Sequence, residues 1–324
     1  GSEMCIRDSY RRLQRFFALF KFDYALVARW CFSLFFAGTS QQIYITIDRT
    51  NWYFGKSKVN IFMLAVAYEG IAIPLFWKLF PKAGNSTGEE QIELLTLFIE
   101  TFGKERIQGI LADREFANKQ VINWLVSNNI PFYYRIKSNS QVRIFKGKKV
   151  SIEKVFNALN PKEQLAYVNH VELFGKQLRV AGARSEAGDL MIVLTNRTPN
   201  NAISIYLRRW EIESLFQSLK GRGFRFEETH ITHLERIKKL TALLSIAFCW
   251  AHKAGEWRAQ NKPIRMCKHR DNLRPQNSYF RYGFDWLRDT LFNIKTRKKQ
   301  MSKLIKQLLS PDIVTFNSSG EQIV

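Results

Sequence analysis

Tyr206-Leu207-Arg208-Arg209-Trp210-Glu211-Ile212-Glu213-Ser214-Leu215-Phe216-Gln217-Ser218-Leu219-Lys220 is the stretch around which the chain is organised. Pro199-Asn200-Asn201 precedes it as a turn, and Gly221 and Gly223 follow it, the start and stop signals of a helix. At about 100° per residue, with Tyr206 at zero, Arg209 falls near roughly 300°, Glu213 near roughly 340° and Lys220 near roughly 320°. The four share a stripe about 60° wide, with Ile205, Ile212, Phe216 and Leu219 beside it. The predicted helix therefore buries one side and carries a phenol, a guanidinium, a carboxylate and an ammonium along that side's edge. A carboxylate held between fixed cations is costly in a core and useful for handling phosphates and metal ions. Alone, the stripe fits an amphipathic helix with ordinary surface ion pairs equally well, and two upstream stretches decide between these readings.

From Gln42 to Asp48 the sequence alternates, Ile43, Ile45 and Ile47 against Tyr44, Thr46 and Asp48, which predicts a strand ending in a carboxylate. Residues 49–52 then turn the chain. Lys58–Ala67 and Gly70–Leu79 read as two more strands joined through Tyr68-Glu69-Gly70, so an antiparallel meander is expected. A helix follows from Thr87 to Phe102, with Glu89 and Glu90 in its first turn. Next come a strand from Arg106 to Ala112 ending in Asp113, a helix from Phe116 to Asn128, and a strand from Pro131 to Ile136. That order predicts an α/β domain with a mixed sheet.

The core is expected in two parts, 41–137 and 189–260, split by a β-rich insertion at 138–188 that carries Lys146, Lys148 and Lys149 at one tip. Helical remnants occupy 1–40, of which 1–9 share no pattern with the rest and are left out of the fold reasoning. A long helix is expected from His233 to Trp257. The region 261–324 reads as basic and less regular, with a last helix from Phe284 to Phe292 ahead of Arg297-Lys298-Lys299.

The 324 residues are 46% hydrophobic, enough for a large core, and carry a formal charge of +22 spread along the whole chain. Such an excess points to nucleic acid before an anionic membrane surface. No membrane span is expected, since Ile61–Phe76 is broken by Glu69, Gly70 and Pro74, and Leu240–Ala251 is too short. With no secretory signal and four scattered cysteines, reduced thiols in a cytoplasmic, nucleoid-associated protein are expected. His230-x-x-His233 lacks a third metal ligand nearby, and Cys267-x-His269 is a weaker pair still.

Asp48, Asp113 and Glu213 stand out as candidate oxygen ligands for hard divalent cations, two of which can activate water and stabilise the leaving oxygen of a phosphodiester. Singly, each reads more readily as a structural acid. Three motifs together change that: Ile47-Asp48-Arg49-Thr50-Asn51-Trp52, Ala112-Asp113-Arg114-Glu115-Phe116, and Tyr206-x2-Arg209-x3-Glu213-x6-Lys220. In order and approximate spacing they resemble the signature of the insertion sequence four family of DDE transposases. The resemblance implies an RNase H-like fold with a β insertion and helical flanks. It implies Asp48, Asp113 and Glu213 as catalytic metal ligands for Mg²⁺ or Mn²⁺, two ions in all. Tyr206, Arg209 and Lys220 would contact the transposon-end strand, with Lys146, Lys148 and Lys149 as further candidates for DNA phosphate.

The implied chemistry is cut-and-paste on transposon ends and target DNA, through a hairpin, by a homodimer when DNA-bound. Family members carry a longer region ahead of the first Asp than the roughly 40 residues here, so an N-terminally truncated chain is expected. Residues 138–188 lack the Trp on which some relatives stack a flipped base; Phe145, Tyr167 and Phe174 are candidate substitutes, none of them assignable from the sequence. The alternatives are a truncated DNA-binding remnant or inhibitor, and an RNase H-fold nuclease that cuts without joining.

Overall fold

The structure, a computed structural model, describes residues 2–54, 57–80, 86–144, 147–269 and 272–309. They form two compact units, one of residues 40–216 and the other of the described residues before 40 and after 216. Lys146 and Phe145 lie outside the described residues.

Two helices lead, α1 (Ser2–Leu19) and α2 (Tyr24–Phe36), the second capped by Asp23, whose carboxylate accepts from the Leu26 N–H. The expected meander follows as β1 (Ile43–Phe54), β2 (Ser57–Tyr68) and β3 (Ile71–Phe80), all antiparallel neighbours. Glu69 and Gly70, at φ 44° and 90°, make the two-residue turn between β2 and β3, a conformation that suits the strands' twist and favours glycine. Ile45, Thr46 and Ile47 are all fully buried, so β1 is covered on both faces.

A capping box at Thr87 and Glu90 starts α3 (Gly88–Phe102). Then come β4 (Ile107–Ala112), α4 (Lys119–Ser127) and β5 (Phe132–Ile136). The sequence reading opens α4 at Phe116, three residues early. Phe116 is instead buried in a turn against the Phe62 ring, and Asn118 caps the helix by accepting from the Val121 N–H.

The expected β-rich segment contains β6 (Gln141–Arg143), β7 (Lys149–Ser151), β8 (Gln164–Ala166), β9 (Val171–Leu173) and β10 (Lys176–Arg184), and β11 (Leu190–Thr195) follows. The sheet order is β3-β2-β1-β4-β5-β11-β10-β9-β6-β7, with β8 also on β10. The pairs β1–β4 and β4–β5 are parallel and the others antiparallel, which makes this a large mixed sheet within an α/β fold. β10 belongs to both regions: residues 176–178 pair with β9 and residues 179–184 with β11.

After β11 the chain forms α5 (Ala202–Leu207), a 3₁₀ turn at Arg208–Trp210, and α6 (Glu211–Leu219). The single helix expected over this stretch is thus interrupted, and its angular spacing is not uniform.

The second unit is helical. Its main member is α7 (Leu234–Asn261), followed by the hairpin β12 (Met266–His269) and β13 (Asn272–Pro275), then α8 (Tyr279–Phe292) and α9 (Lys298–Leu309). α8 starts earlier than the periodicity suggests, because Ser278 accepts from the Arg281 N–H as its cap. The basic run at 297–299 opens a further helix rather than an irregular tail. Among the described residues no helix is long and apolar enough to cross a membrane, and Cys31, Cys249 and Cys267 are free thiols.

α7 and α8 touch through Gly255 and Gly283; a Cβ on Gly283 would stand 1.8 Å from the Ala251 carbonyl oxygen. Because backbone rather than a movable side chain blocks that position, Gly283→Ala is expected to lower stability by about 1–3 kcal/mol, read as a fall in the urea midpoint at unchanged slope.

Candidate active site

The sequence reading ends β1 at Asp48. The strand instead runs on to Phe54, because β2 offers a longer partner, with register from Ile45↔Val66 to Phe54↔Ser57. What ends at this level is the parallel pairing with β4, whose last pair is Ile47↔Ala112. Asp48 and Asp113 are therefore the first residues past the carboxyl end of a parallel pair, the place where α/β sheets build their sites.

Asp48 is largely buried. Its Oδ1 accepts from the Arg49 N–H at 2.8 Å and its Oδ2 from Arg209 Nη1 at 2.8 Å. Burial raises its pKa to about 6, against the lowering by Arg209 and the Arg49 N–H. Asp113 mirrors the local pattern: its Oδ1 accepts from the Arg114 N–H at 2.7 Å and from the Tyr206 hydroxyl at 3.3 Å. Arg135 Nη1 stands 3.9 Å from the same oxygen. Burial pushes the Tyr206 phenol up to about 12, so it stays a donor. Glu213, half-exposed, accepts from Arg209 Nη2 at 2.7 Å.

Arg209 is the hub. Its guanidinium is 6% exposed and bridges Asp48 and Glu213 with one nitrogen on each. The 3₁₀ turn at Arg208–Trp210 carries it inward, while Trp210 is 55% exposed. Thus Asp48, Arg209 and Glu213 are joined by hydrogen bonds, Tyr206 and Asp113 by another, and the Arg209 guanidinium carbon lies 5.8 Å from the centre of the Tyr206 ring, so the five predicted side chains share one network of contacts inside residues 40–216.

Lys220 belongs to the other unit, where its ammonium lies 3.4 Å from Glu227 and burial lowers its pKa. Lys148 and Lys149 are exposed, at and just before β7.

Sequence reasoning gave no role to Arg208, Glu211, Arg49 or Glu115. Arg208 donates to the Ala67 carbonyl at 3.1 Å and to Glu211 at 3.3 Å. Burial raises the Glu211 pKa, against the lowering by Arg208 and by the nearby Gly70 and Tyr68 N–H groups, which places the start of α6 beside the β2–β3 turn. Arg49 and Glu115 pair through two bonds, Nε to Oε1 at 2.7 Å and Nη2 to Oε2 at 2.8 Å. Only the positions of Arg49 and Glu115 beside the two Asp residues hinted at this.

Among the described residues no three His, Cys, Asp or Glu side chains are grouped closely enough to hold a metal as placed. The chemistry of the donor set nonetheless suits a hard cation. Asp48 is a buried carboxylate whose ionised form is not fully compensated, and the oxygens of Asp48 and Glu213 already flank one positive charge, that of Arg209.

A sequence-family profile described as "Transposase DDE domain" matches residues 40–250, a span containing every residue of the network and Lys220. Among solved structures, a chain of a piggyBac transposase synaptic complex with hairpin DNA is similar at 11% identity and TM-score 0.43. The alignment covers 87% of this chain and 60% of that one, so this chain spans less than two thirds of its length. A search of curated proteins finds no match.

Proposed function

Because this chain belongs to the transposase DDE domain family, we propose that it is a DNA transposase that cuts at transposon ends and joins the freed ends to target DNA. The observation that carries this reading is the Asp48–Arg209–Glu213 bridge beside Asp113, at the carboxyl end of the β1–β4 pair. On the finer scale we assign it to the insertion sequence four type, with residues 41–137 and 189–260 as an RNase H-like core and 138–188 as the β insertion. A homodimer on DNA and a place with the chromosome in the cytoplasm belong to the same proposal.

In the reaction, a water oxygen bonds to phosphorus at the transposon end while the 3′ oxygen leaves and takes up a proton. That 3′-hydroxyl then bonds to a target phosphorus and displaces the target's own 3′ oxygen. Asp48, Asp113 and Glu213 would hold Mg²⁺ or Mn²⁺, which supplies Lewis-acid activation of the attacking and leaving oxygens. Tyr206 remains protonated and orients Asp113 through its hydroxyl. Arg209 balances Asp48 and Glu213 before DNA arrives and is placed to exchange a carboxylate for a phosphate oxygen, with which its planar fork pairs equally well. A hairpin would form by the second kind of step alone, the freed 3′ oxygen bonding to the phosphorus of the opposite strand and displacing the flanking DNA's 3′ oxygen, which takes up the proton.

The test is incubation of the purified chain with terminal-inverted-repeat duplex and a supercoiled target. Mg²⁺-dependent end cleavage plus joined product supports transposition, and cleavage without joining makes it a nuclease. Binding without cleavage makes it a DNA-binding remnant.

The cations add a separate expectation. Lys220→Ala should weaken DNA binding and flatten the slope of log affinity against log salt by about one unit, the loss of a single phosphate contact. An unchanged slope in a fluorescence-anisotropy titration removes Lys220 from the interface.

A further inference from the structure

We propose that Arg49 and Glu115 are positioning residues, a clamp that sets the placement of Asp48 against Asp113 and so the affinity of the carboxylates for a divalent cation. This rests on the proposed metal-dependent reaction.

Arg49 directly follows Asp48, and Glu115 lies two residues after Asp113. β1 and β4 stop pairing at Ile47↔Ala112, so no ladder hydrogen bond between those two strands holds the two Asp residues in register. The guanidinium of Arg49 instead reaches Glu115 with two of its nitrogens, Nε and Nη2, at 2.7 and 2.8 Å. The pair is 17% and 27% exposed, which sets it apart from a solvated surface pair. The Arg49 end is also tied to Asp48, whose Oδ1 accepts from the Arg49 N–H, and the residue before Glu115 is tied to Asp113, whose Oδ1 accepts from the Arg114 N–H.

The loop bearing Glu115 is fixed from beneath. The Phe116 N–H donates to the Asp113 carbonyl at 3.0 Å, and the buried Phe116 ring stacks on Phe62 at 5.6 Å. Loop and strand are therefore rigid on either side, and the Arg49–Glu115 fork closes the gap between them. Groups that orient metal ligands without touching the metal typically set its affinity within about 10–100-fold.

Charge and geometry make opposite forecasts, which allows a clean test. Glu115→Gln removes a negative charge near the carboxylates, and Arg49→Gln removes a positive one. Coulomb interaction alone would weaken cation binding in the first and strengthen it in the second. A clamp requires both to weaken it, by about 10-fold each, with the double variant no worse than either single. Arg49→Lys, which keeps the charge but not the fork, should also weaken it.

Mn²⁺ binding to the full chain without DNA, by calorimetry, reads this directly, with Asp48→Asn as control. Binding that Asp48→Asn leaves intact overturns the metal reading, and the clamp with it. Binding lost in Asp48→Asn but held or tightened in Arg49→Gln and Arg49→Lys overturns the clamp alone.

Discussion

Asp48→Asn is expected to reduce DNA cleavage by at least about 10³-fold, the scale of removing a group that stabilises transition-state charge, while the metal-free protein keeps or gains stability. The stability half follows from linkage. Burial raises the Asp48 pKa to about 6 in the folded chain, whereas an unfolded aspartate titrates near about 3.9. The folded state therefore binds this proton more tightly than the unfolded state. Its ionisation costs nothing below about pH 4, a growing amount up to about pH 6, and a constant amount above. At about 1.4 kcal/mol per unit, the full cost is on the order of 3 kcal/mol.

Asparagine resembles the neutral acid and can still accept from the Arg49 N–H. The variant should thus melt no lower than wild type at pH 7.5 in chelator, with any advantage vanishing toward pH 4.5. A clear fall in melting temperature at pH 7.5 would instead make Asp48 a structural acid.

Arg209→Ala should act in the opposite direction. The bridge holds one largely buried and one half-exposed carboxylate on a guanidinium that is itself 6% exposed. Deleting it strands Asp48 without its cation, and breaking a buried pair costs about 3–5 kcal/mol. The lower end, about 3 kcal/mol, is expected because Glu213 can rehydrate. Urea unfolding in chelator at pH 7.5 measures the loss. Two treatments should recover part of it: millimolar Mg²⁺, which restores positive charge between the carboxylates, and pH 5, which neutralises Asp48. A loss under about 1 kcal/mol, insensitive to both, would place the bridge among incidental ion pairs.

Much of this site was legible in the sequence, and the limits have physical causes. The Ile43–Ile47 alternation reveals β1 because Ile43, Ile45 and Ile47 share one apolar face, although Thr46 on the other face is buried as well. It does not reveal where β1 ends, since that depends on two partners of unequal reach, β2 to Phe54 and β4 only to Ile47. Tyr206, Arg209 and Glu213 of the predicted stripe share one network of contacts, through a 3₁₀ turn that a uniform helical angle cannot represent, while Lys220, the stripe's fourth member, pairs with Glu227 in the other unit. Phe116 looks like the first apolar residue of a helix because its burial against Phe62, far away in sequence, leaves no local trace. The Arg49–Glu115 fork leaves only the hint of its closeness to the two Asp residues, its partners being 66 residues apart.

The double allegiance of β10 also decides how this protein tolerates trimming. An insertion is ordinarily a candidate for removal when a smaller catalytic fragment is wanted. Here, cutting out residues 138–188 removes the strand that satisfies the outer backbone groups of β11. That leaves Ile192, Val193 and Leu194, all buried in the intact sheet, along a bare margin beside β5. An unpaired apolar margin recruits strands from other copies and drives aggregation. The segment 138–188 thus also covers the margin of β11, and a shortened chain needs a replacement for Arg179–Arg184 before it can be handled in solution.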